Sequence, residues 1–409
     1  MMQLTPGRPI APEELTRFIA EGLANFGCSD EHVLVVVPDD TRTIPMPAIF
    51  DTLCEHVVPR VGRMTVLIAL GTHPLMTEAE LAAHLGAGYG ERLGVDVLQH
   101  DWQDDRAMTL VETIPASELE ALSGGLLSEH VPVRINNLAL EADRILIVNP
   151  VFPHEVAGFS GGHKYFFPGI AGEEFLDASH WLGALITNPM VNGRRDTPVR
   201  ALIERAAATI PTPRTGLALV MRGHEPVGAF IDDVHAAWCT ASALSAETNI
   251  VWKDRTYDTV VSIAPPMYRE LWTAGKCMYK LEPILADGAE LIIYAPHLKE
   301  ISPTHGELIR SVGYHTRDYF LAQWARFEHI PRAVLAHSTH VKGIGSYVDG
   351  AEHPRVEVVL ATGIPEDVCR EINLSYRDPA SIQIDEFENR EDEGVLVVPN
   401  AGEMLFQLT

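Results

Sequence analysis

HVLVVVPDDTR at His32–Arg42, MTVLIALGTH at Met64–His73 and RILIVNPVFPHE at Arg144–Glu155 share one plan. Each is a continuous apolar run of strand length that ends in polar, chemistry-bearing residues. A strand buried on both faces shows no alternation, so these runs read as central strands of a parallel sheet covered by helices. Gly216–Met221 (GLALVM) is a weaker fourth run. Tyr257–Ala264 (YDTVVSIA), Ala289–Ala295 (AELIIYA), Val356–Ala361 (VEVVLA) and Gly394–Val398 (GVLVV) repeat the style in the second half.

Helix-like stretches separate the runs. One of them opens with the capping-box pattern T-x-x-E at Thr77–Glu80. Strands alternating with helices give an α/β fold with mainly parallel sheets. A chain of 409 residues exceeds one ordinary core. Two α/β domains are expected, residues 1–255 and 256–409, divided at the polar stretch Lys253–Thr256, with the active site in the cleft between them. The segment after Gly394 can pack back on the first domain.

The chain carries 31 Lys+Arg against 56 Asp+Glu, a formal net charge of −25. Such a surface repels phosphate backbones and anionic lipid, which argues against nucleic acid and membrane as partners. It also demands a local cation wherever an anionic substrate binds. Five cysteines, none in a C-x-x-C pair, read as reduced thiols of a cytoplasmic protein. Neither an export signal nor an 18-residue apolar run is visible.

Ligands of open α/β sheets bind beyond the carboxyl ends of the strands. The three leading runs deliver Asp39, Asp40, Thr41 and Arg42, then Gly71, Thr72 and His73, then His154 and Glu155 to such ends. An imidazole titrates near neutrality, so His73 and His154 are candidate acid–base groups. Asp39 can orient a histidine, and Arg42 can grip a carboxylate in a bidentate fork. Asp-Asp-Thr is equally an ordinary turn or helix-capping sequence.

The stretch from Pro153 to Leu185 holds Gly158, Gly161, Gly162, Gly169 and Gly172. Closely spaced glycines suit either a loop that meets phosphate or tight turns, and the spacing is neither a P-loop nor a dinucleotide fingerprint. Lys164 follows, flanked by apolar residues that favour a nucleophilic amine; the alternative is a solvated surface lysine. His163 and His180 show no multi-histidine zinc spacing. Tyr165, Phe166 and Phe167 read as core.

Taken in order, D-x-T-R at Asp39–Arg42, G-T-H at Gly71–His73, His154 with Lys164 ten residues on, S-G-G-x-K-x-x-x-P-G-I at Ser160–Ile170 and His180 resemble the nickel-pincer lactate racemase family. The resemblance covers about the first 185 residues. It implies a pyridinium mononucleotide bearing two thiocarboxylic groups that hold nickel, linked to Lys164, near Gly161, Gly162 and Thr41, with His180 the one protein ligand to the metal. The cofactor then supplies the remaining soft donors. It further implies inversion of a 2-hydroxy acid. One of His73 and His154 takes the hydroxyl proton while hydride leaves C2, and the other returns a proton after hydride comes back on the opposite face. Arg42 and Lys276 hold the substrate, and Asp39 orients His73. Cofactor-building proteins are implied as partners.

The chain departs from the family pattern at Pro74, where an arginine is usual, and at Thr273, where Thr273-Ala274-Gly275-Lys276 lacks the family's glutamine. Lys280 is a competing alignment for Lys276. His163 and the bulky Tyr165–Phe167 also differ. A 2-hydroxy acid larger than lactate, such as a sugar acid, a hydroxydicarboxylate or an aryl-lactate, is therefore expected. Two other classes compete. One is a metal-dependent hydrolase or lyase with His73, His154 and Asp39 around a hard cation, and the other a non-catalytic nucleotide-binding protein.

Overall fold

The computed structural model describes residues 1–409. The chain forms two compact units. The first comprises Met1–Phe152, Phe159–Ser179 and Arg195–Thr248; the second comprises Pro153–Gly158, His180–Arg194 and Asn249–Thr409.

The first unit is built on a seven-stranded sheet of β1 (Met2–Leu4), β2 (His32–Pro38), β3 (Arg63–Ala69), β4 (Val95–Gln99), β5 (Arg144–Pro150), β6 (Arg214–Arg222) and β7 (Glu225–Asp232). Their spatial order is β1-β7-β6-β5-β2-β3-β4. The five strands from β6 to β4 run parallel, and β7 and β1 add an antiparallel edge. Every residue of Val33–Val37 is at 0% exposure. Val33, Val35 and Val37 join a core with Ile19, Phe50 and Leu53 from α1 (Pro12–Gly22) and α2 (Met46–His56). Burial on both faces explains the unbroken apolar runs. Each such side chain contributes about 1.5–3 kcal/mol when removed from water. α3 (Glu78–Leu85) starts with the expected capping box: Thr77 accepts from the Glu80 amide, and the Glu80 carboxylate accepts from the Thr77 amide at 2.8 Å.

The connections from β2 run outward through β3 to β4, whereas β5 returns to the other side of β2. The chain order reverses there, which is where an open sheet leaves room for a ligand beyond its carboxyl ends. Three helices complete what the site needs: α4 (Glu173–Ile186), α5 (Pro198–Ala207) and α6 (Val234–Asn249).

In the second unit β8 (Tyr257–Ile263), β9 (Leu285–Ala295), β10 (Glu357–Thr362), β11 (Ser375–Tyr376) and β12 (Val395–Val398) make an all-parallel sheet, ordered β11-β10-β9-β8-β12. Helix α7 (Arg332–Lys342) belongs to this unit. The segment after Gly394 stays there too: β12 pairs with β8, and Leu405–Leu408 pairs with Ile250–Lys253. All eight apolar runs of the sequence are strands. The antiparallel pair Met108–Ile114 with Val131–Asn136 is not visible as an apolar run, because its burial is patchy. No helix is long and apolar enough to cross a membrane.

Candidate active site

In the first unit the residues after β2 and β3 meet. Asp39 is buried, and its Oδ2 lies 2.5 Å from His73 Nδ1. Thr41 Oγ1 donates to Asp39 Oδ1 at 2.7 Å, and Arg42 Nη1 donates to Thr41 Oγ1 at 2.9 Å. Guanidinium, hydroxyl, carboxylate and imidazole thus form one hydrogen-bonded chain. Burial alone would raise the Asp39 carboxyl. The charge and hydrogen bond of His73, the charge of Arg42 and the Thr41 hydroxyl outweigh it and hold the group well below the usual carboxylate range. The His73 side chain is 41% exposed against 6% for Asp39. The carboxylate therefore fixes the inner nitrogen as Nδ1–H, leaving the lone pair of Nε2 on the outer edge. Behind this dyad, buried His84 on α3 donates from Nε2 to the Pro38 carbonyl at 2.8 Å, fixing the backbone just before Asp39.

Lys164 sits in a short 3-10 turn, Gly162–Tyr165. From Phe159 to Pro168 every residue is buried except Lys164. The glycines before it face protein. A Cβ on Gly161 would lie 2.5 Å from Asn149 Oδ1, and one on Gly162 would lie 2.9 Å from Trp238 Cγ, with φ of +80° and +62° respectively. The Gly162 amide donates to Asn149 Oδ1 at 3.1 Å. The loop's shape, rather than an open phosphate cradle, accounts for glycine at these two positions. Phe166 and Phe167 are at 0% exposure, with Phe167 packed against Phe175. They are core, and so do not alter a substrate pocket.

The second unit holds His154, His180 and Lys276. The backbone amides of Val156 and Ala157 approach His154 Nδ1 at 3.1 and 3.4 Å. Nδ1 accepts from these amides in the neutral ring, whose hydrogen is then on Nε2, and the Glu155 carboxylate lies 3.5 Å from the same Nδ1. Lys280, at 3% exposure, donates from Nζ to the Pro153 carbonyl at 2.5 Å. Its ammonium fixes the backbone beside His154. Lys276 is part-buried, with Nζ 5.0 Å from the Tyr268 ring centroid. Burial would raise the Glu155 carboxyl, but His340, Lys280 and Lys276 hold it low. His180 is part-buried on α4. Burial pushes the His337 imidazole of α7 well down, helped by His340, His305 and His180. Trp272 stacks on His337 at 3.8 Å and packs against His305 at 4.4 Å.

No group of three or more histidine, cysteine or carboxylate side chains is arranged to hold a metal ion. Asp39 is committed to His73. His180 offers a single part-buried imidazole and Lys164 a part-buried amine. His84 goes unread in the sequence, Lys280 is read there only as an alternative to Lys276, and the residues that seat the loop before Lys164 also go unread. Their partners are backbone carbonyls 46 and 127 residues away for the first two, and no local spacing signals that.

Residues 11–191 match the family model described as the lactate racemase N-terminal domain. A lactate racemase of Thermoanaerobacterium thermosaccharolyticum is 27% identical over 312 residues, covering 73% of this chain and 65% of that protein. A lactate racemase of Lactiplantibacillus plantarum is 25% identical over 286 residues, covering 68% and 62%. These matches span a little under two thirds of the curated relatives' length. Among solved structures, a Thermotoga maritima protein matches with a TM-score of 0.90 at 32% identity, over 99% of this chain and 100% of that one. The lactate racemase apoprotein of T. thermosaccharolyticum matches in fold, with a TM-score of 0.73 at 18% identity over 96% of this chain and 93% of that one. Residues 11–191 are thus a lactate racemase N-terminal domain, the stretch that holds the Asp39–His73 pair, His154, Lys164 and His180.

Proposed function

We propose that the protein is an isomerase that inverts C2 of a 2-hydroxy acid. The observation that carries this reading is the Arg42–Thr41–Asp39–His73 chain. It joins a carboxylate-gripping cation to a base with its lone pair turned outward. Arg42 holds the substrate carboxylate through its remaining N–H groups, which answers the strongly acidic surface. Asp39 keeps His73 in the tautomer that accepts a proton at Nε2 and stabilises the imidazolium that results. His73 takes the 2-hydroxyl proton and returns it to the same oxygen in reverse.

His154 contributes an Nε2–H to the substrate oxygen. A neutral imidazole does not give up its last N–H near neutral pH. Full proton transfer through His154 therefore requires Nδ1 to take up a proton and release the Val156 and Ala157 amides. Lys276 contributes a second positive charge toward the substrate.

A nickel-bearing pyridinium nucleotide fits the donors present, with Lys164 as its covalent anchor and His180 as the metal's protein ligand. When bound, such a group supplies reversible hydride acceptance from C2. The cytoplasmic setting and the need for cofactor-building proteins follow from the same reading.

For the substrate, the buried Phe166 and Phe167 withdraw one reason to expect an acid larger than lactate. The departures at Pro74 and Thr273 retain that reading. Single enantiomers of lactate, a sugar acid, a hydroxydicarboxylate and an aryl-lactate, incubated with cofactor-loaded protein and followed by chiral chromatography, test both levels. Interconversion of one or more acids is expected, with a larger acid ahead of lactate. Lactate turning over fastest defeats the size reading, and no interconversion of any acid defeats the isomerase reading.

A further inference from the structure

His163 stands immediately before Lys164 at 5% exposure, and its two ring nitrogens have opposite partners. Nδ1 is 2.7 Å from Glu204 Oε2, and Arg214 Nε donates to Nε2 at 2.9 Å. Arginine offers only donors, so Nε2 accepts and the ring hydrogen lies on Nδ1, directed at the carboxylate. His163 is thus a neutral bridge between an anion and a cation. Burial would raise the Glu204 carboxyl, but the His163 bond and charges that include Arg200 hold it low.

Both partners come from one element and its exit. Glu204 is on α5. Arg214 opens β6, and its other N–H groups hold the chain leaving α5 by the carbonyls of Ala207 at 3.0 Å and Ile210 at 2.7 Å. From the same helix Arg200 donates to the carbonyls of Phe159 at 2.5 Å and Gly161 at 3.2 Å, with its guanidinium 4.0 Å from the Trp238 ring centroid. The Trp238 indole N–H takes the Ser160 carbonyl at 2.8 Å. Residues 159 to 162 are therefore each fixed through the backbone, and residue 163 through its side chain. Lys164 follows as the one residue of the run that is not buried. A neutral ring that both donates and accepts suits residue 163, since a cation would repel Arg214 and an apolar ring would take one hydrogen-bond partner from each of two part-buried charged groups.

We propose that His163 is a positioning residue for Lys164, setting the direction of that amine for its covalent loading through the Glu204–His163–Arg214 bridge. The proposal rests on Lys164 being the cofactor anchor.

The test uses the full chain made with the cofactor-building proteins present, in wild-type, His163→Phe and His163→Gln forms. The fraction of chain carrying a nucleotide on Lys164 is read by intact mass and peptide mapping, beside the thermal midpoint of the same preparations. His163→Phe is expected to lower the loaded fraction about tenfold, the scale typical of groups that orient a site, by more than any drop in midpoint explains. His163→Gln, which keeps a donor and an acceptor, is expected to restore most of it. Equal loading in wild type and His163→Phe overturns the proposal. A loss of loading that merely tracks the midpoint, with no rescue by Gln, overturns it as well. An unloaded wild type ends the anchor reading and this one with it. Should His163→Phe fail to fold, Glu204→Ala, at a side chain 25% exposed, breaks the bridge from its outer end, and the same outcomes decide.

Discussion

His73 and His154 occupy corresponding places in the sequence, each just past a strand, yet the fold treats them oppositely. His73 has its Nδ1 on a buried carboxylate, so its outer nitrogen accepts. His154 has its Nδ1 on two backbone amides, so its outer nitrogen donates. A symmetric pair of bases is what a reaction running both ways suggests. The structure has instead one imidazole hydrogen-bonded to a buried carboxylate and one whose Nδ1 meets two backbone amides, with the Glu155 carboxylate 3.5 Å away. The lesson is that a histidine's role is set by what its inner nitrogen meets, which residue identity does not disclose.

Removing the base should do the most damage. His73→Gln is expected to lower kcat/KM by about 10²–10⁴, as for loss of a general base, in both directions of inversion. Steady-state rates with each enantiomer check this, and a loss below tenfold would remove His73 from proton transfer. Asp39→Asn comes next. An amide in place of the carboxylate favours the wrong tautomer of His73, and a drop of about a hundredfold or more is expected with the fold intact. A circular dichroism melt beside the rate separates the two effects.

His154→Gln sharpens the contrast, because glutamine can still donate. A loss of about tenfold, the scale of one hydrogen bond, is expected. A loss as large as that of His73→Gln would make the two histidines equivalent and break the comparison. Smaller still is the effect on acid stability. The Asp39 carboxyl is held below its unfolded value of 3.8. The folded chain therefore binds that proton less readily, and the resulting stability is present above pH 3.8 and lost as pH falls below it. Asp39→Asn should flatten the acid limb of a plot of stability against pH in that window, and an unchanged limb would mean that Asp39 is not ionised in the fold.

Much of this arrangement was legible in the amino-acid order, for a physical reason. Runs such as Val33–Val37 are buried on both faces, and burial on both faces writes an unbroken apolar string. Parallel strands also bring their polar ends to one edge, so Asp39 and His73 meet although they are 34 residues apart. The patchily buried pair Met108–Ile114 and Val131–Asn136 writes no such string. Nor does sequence place residues 153–158 and 180–194, with His154 and His180, in the unit formed mainly by the second half of the chain. The ammonium of Lys280 on the Pro153 carbonyl and the bridge at His163 are single long-range contacts made by residues whose neighbours say nothing of them. Glycines 161 and 162 suggested a ligand loop, and the space where a side chain would stand is filled by Asn149, Val151 and Trp238.

The central claim is that His73 works on the hydroxyl proton while the hydrogen on C2 moves as hydride. Inversion of a single enantiomer of a turned-over 2-hydroxy acid in D2O, followed by proton NMR at C2, tests it most directly. The account predicts that the product keeps its protium at C2 through many turnovers. Deuterium appearing at C2 in step with inversion would mean that a base removes that hydrogen as a proton, and would contradict it.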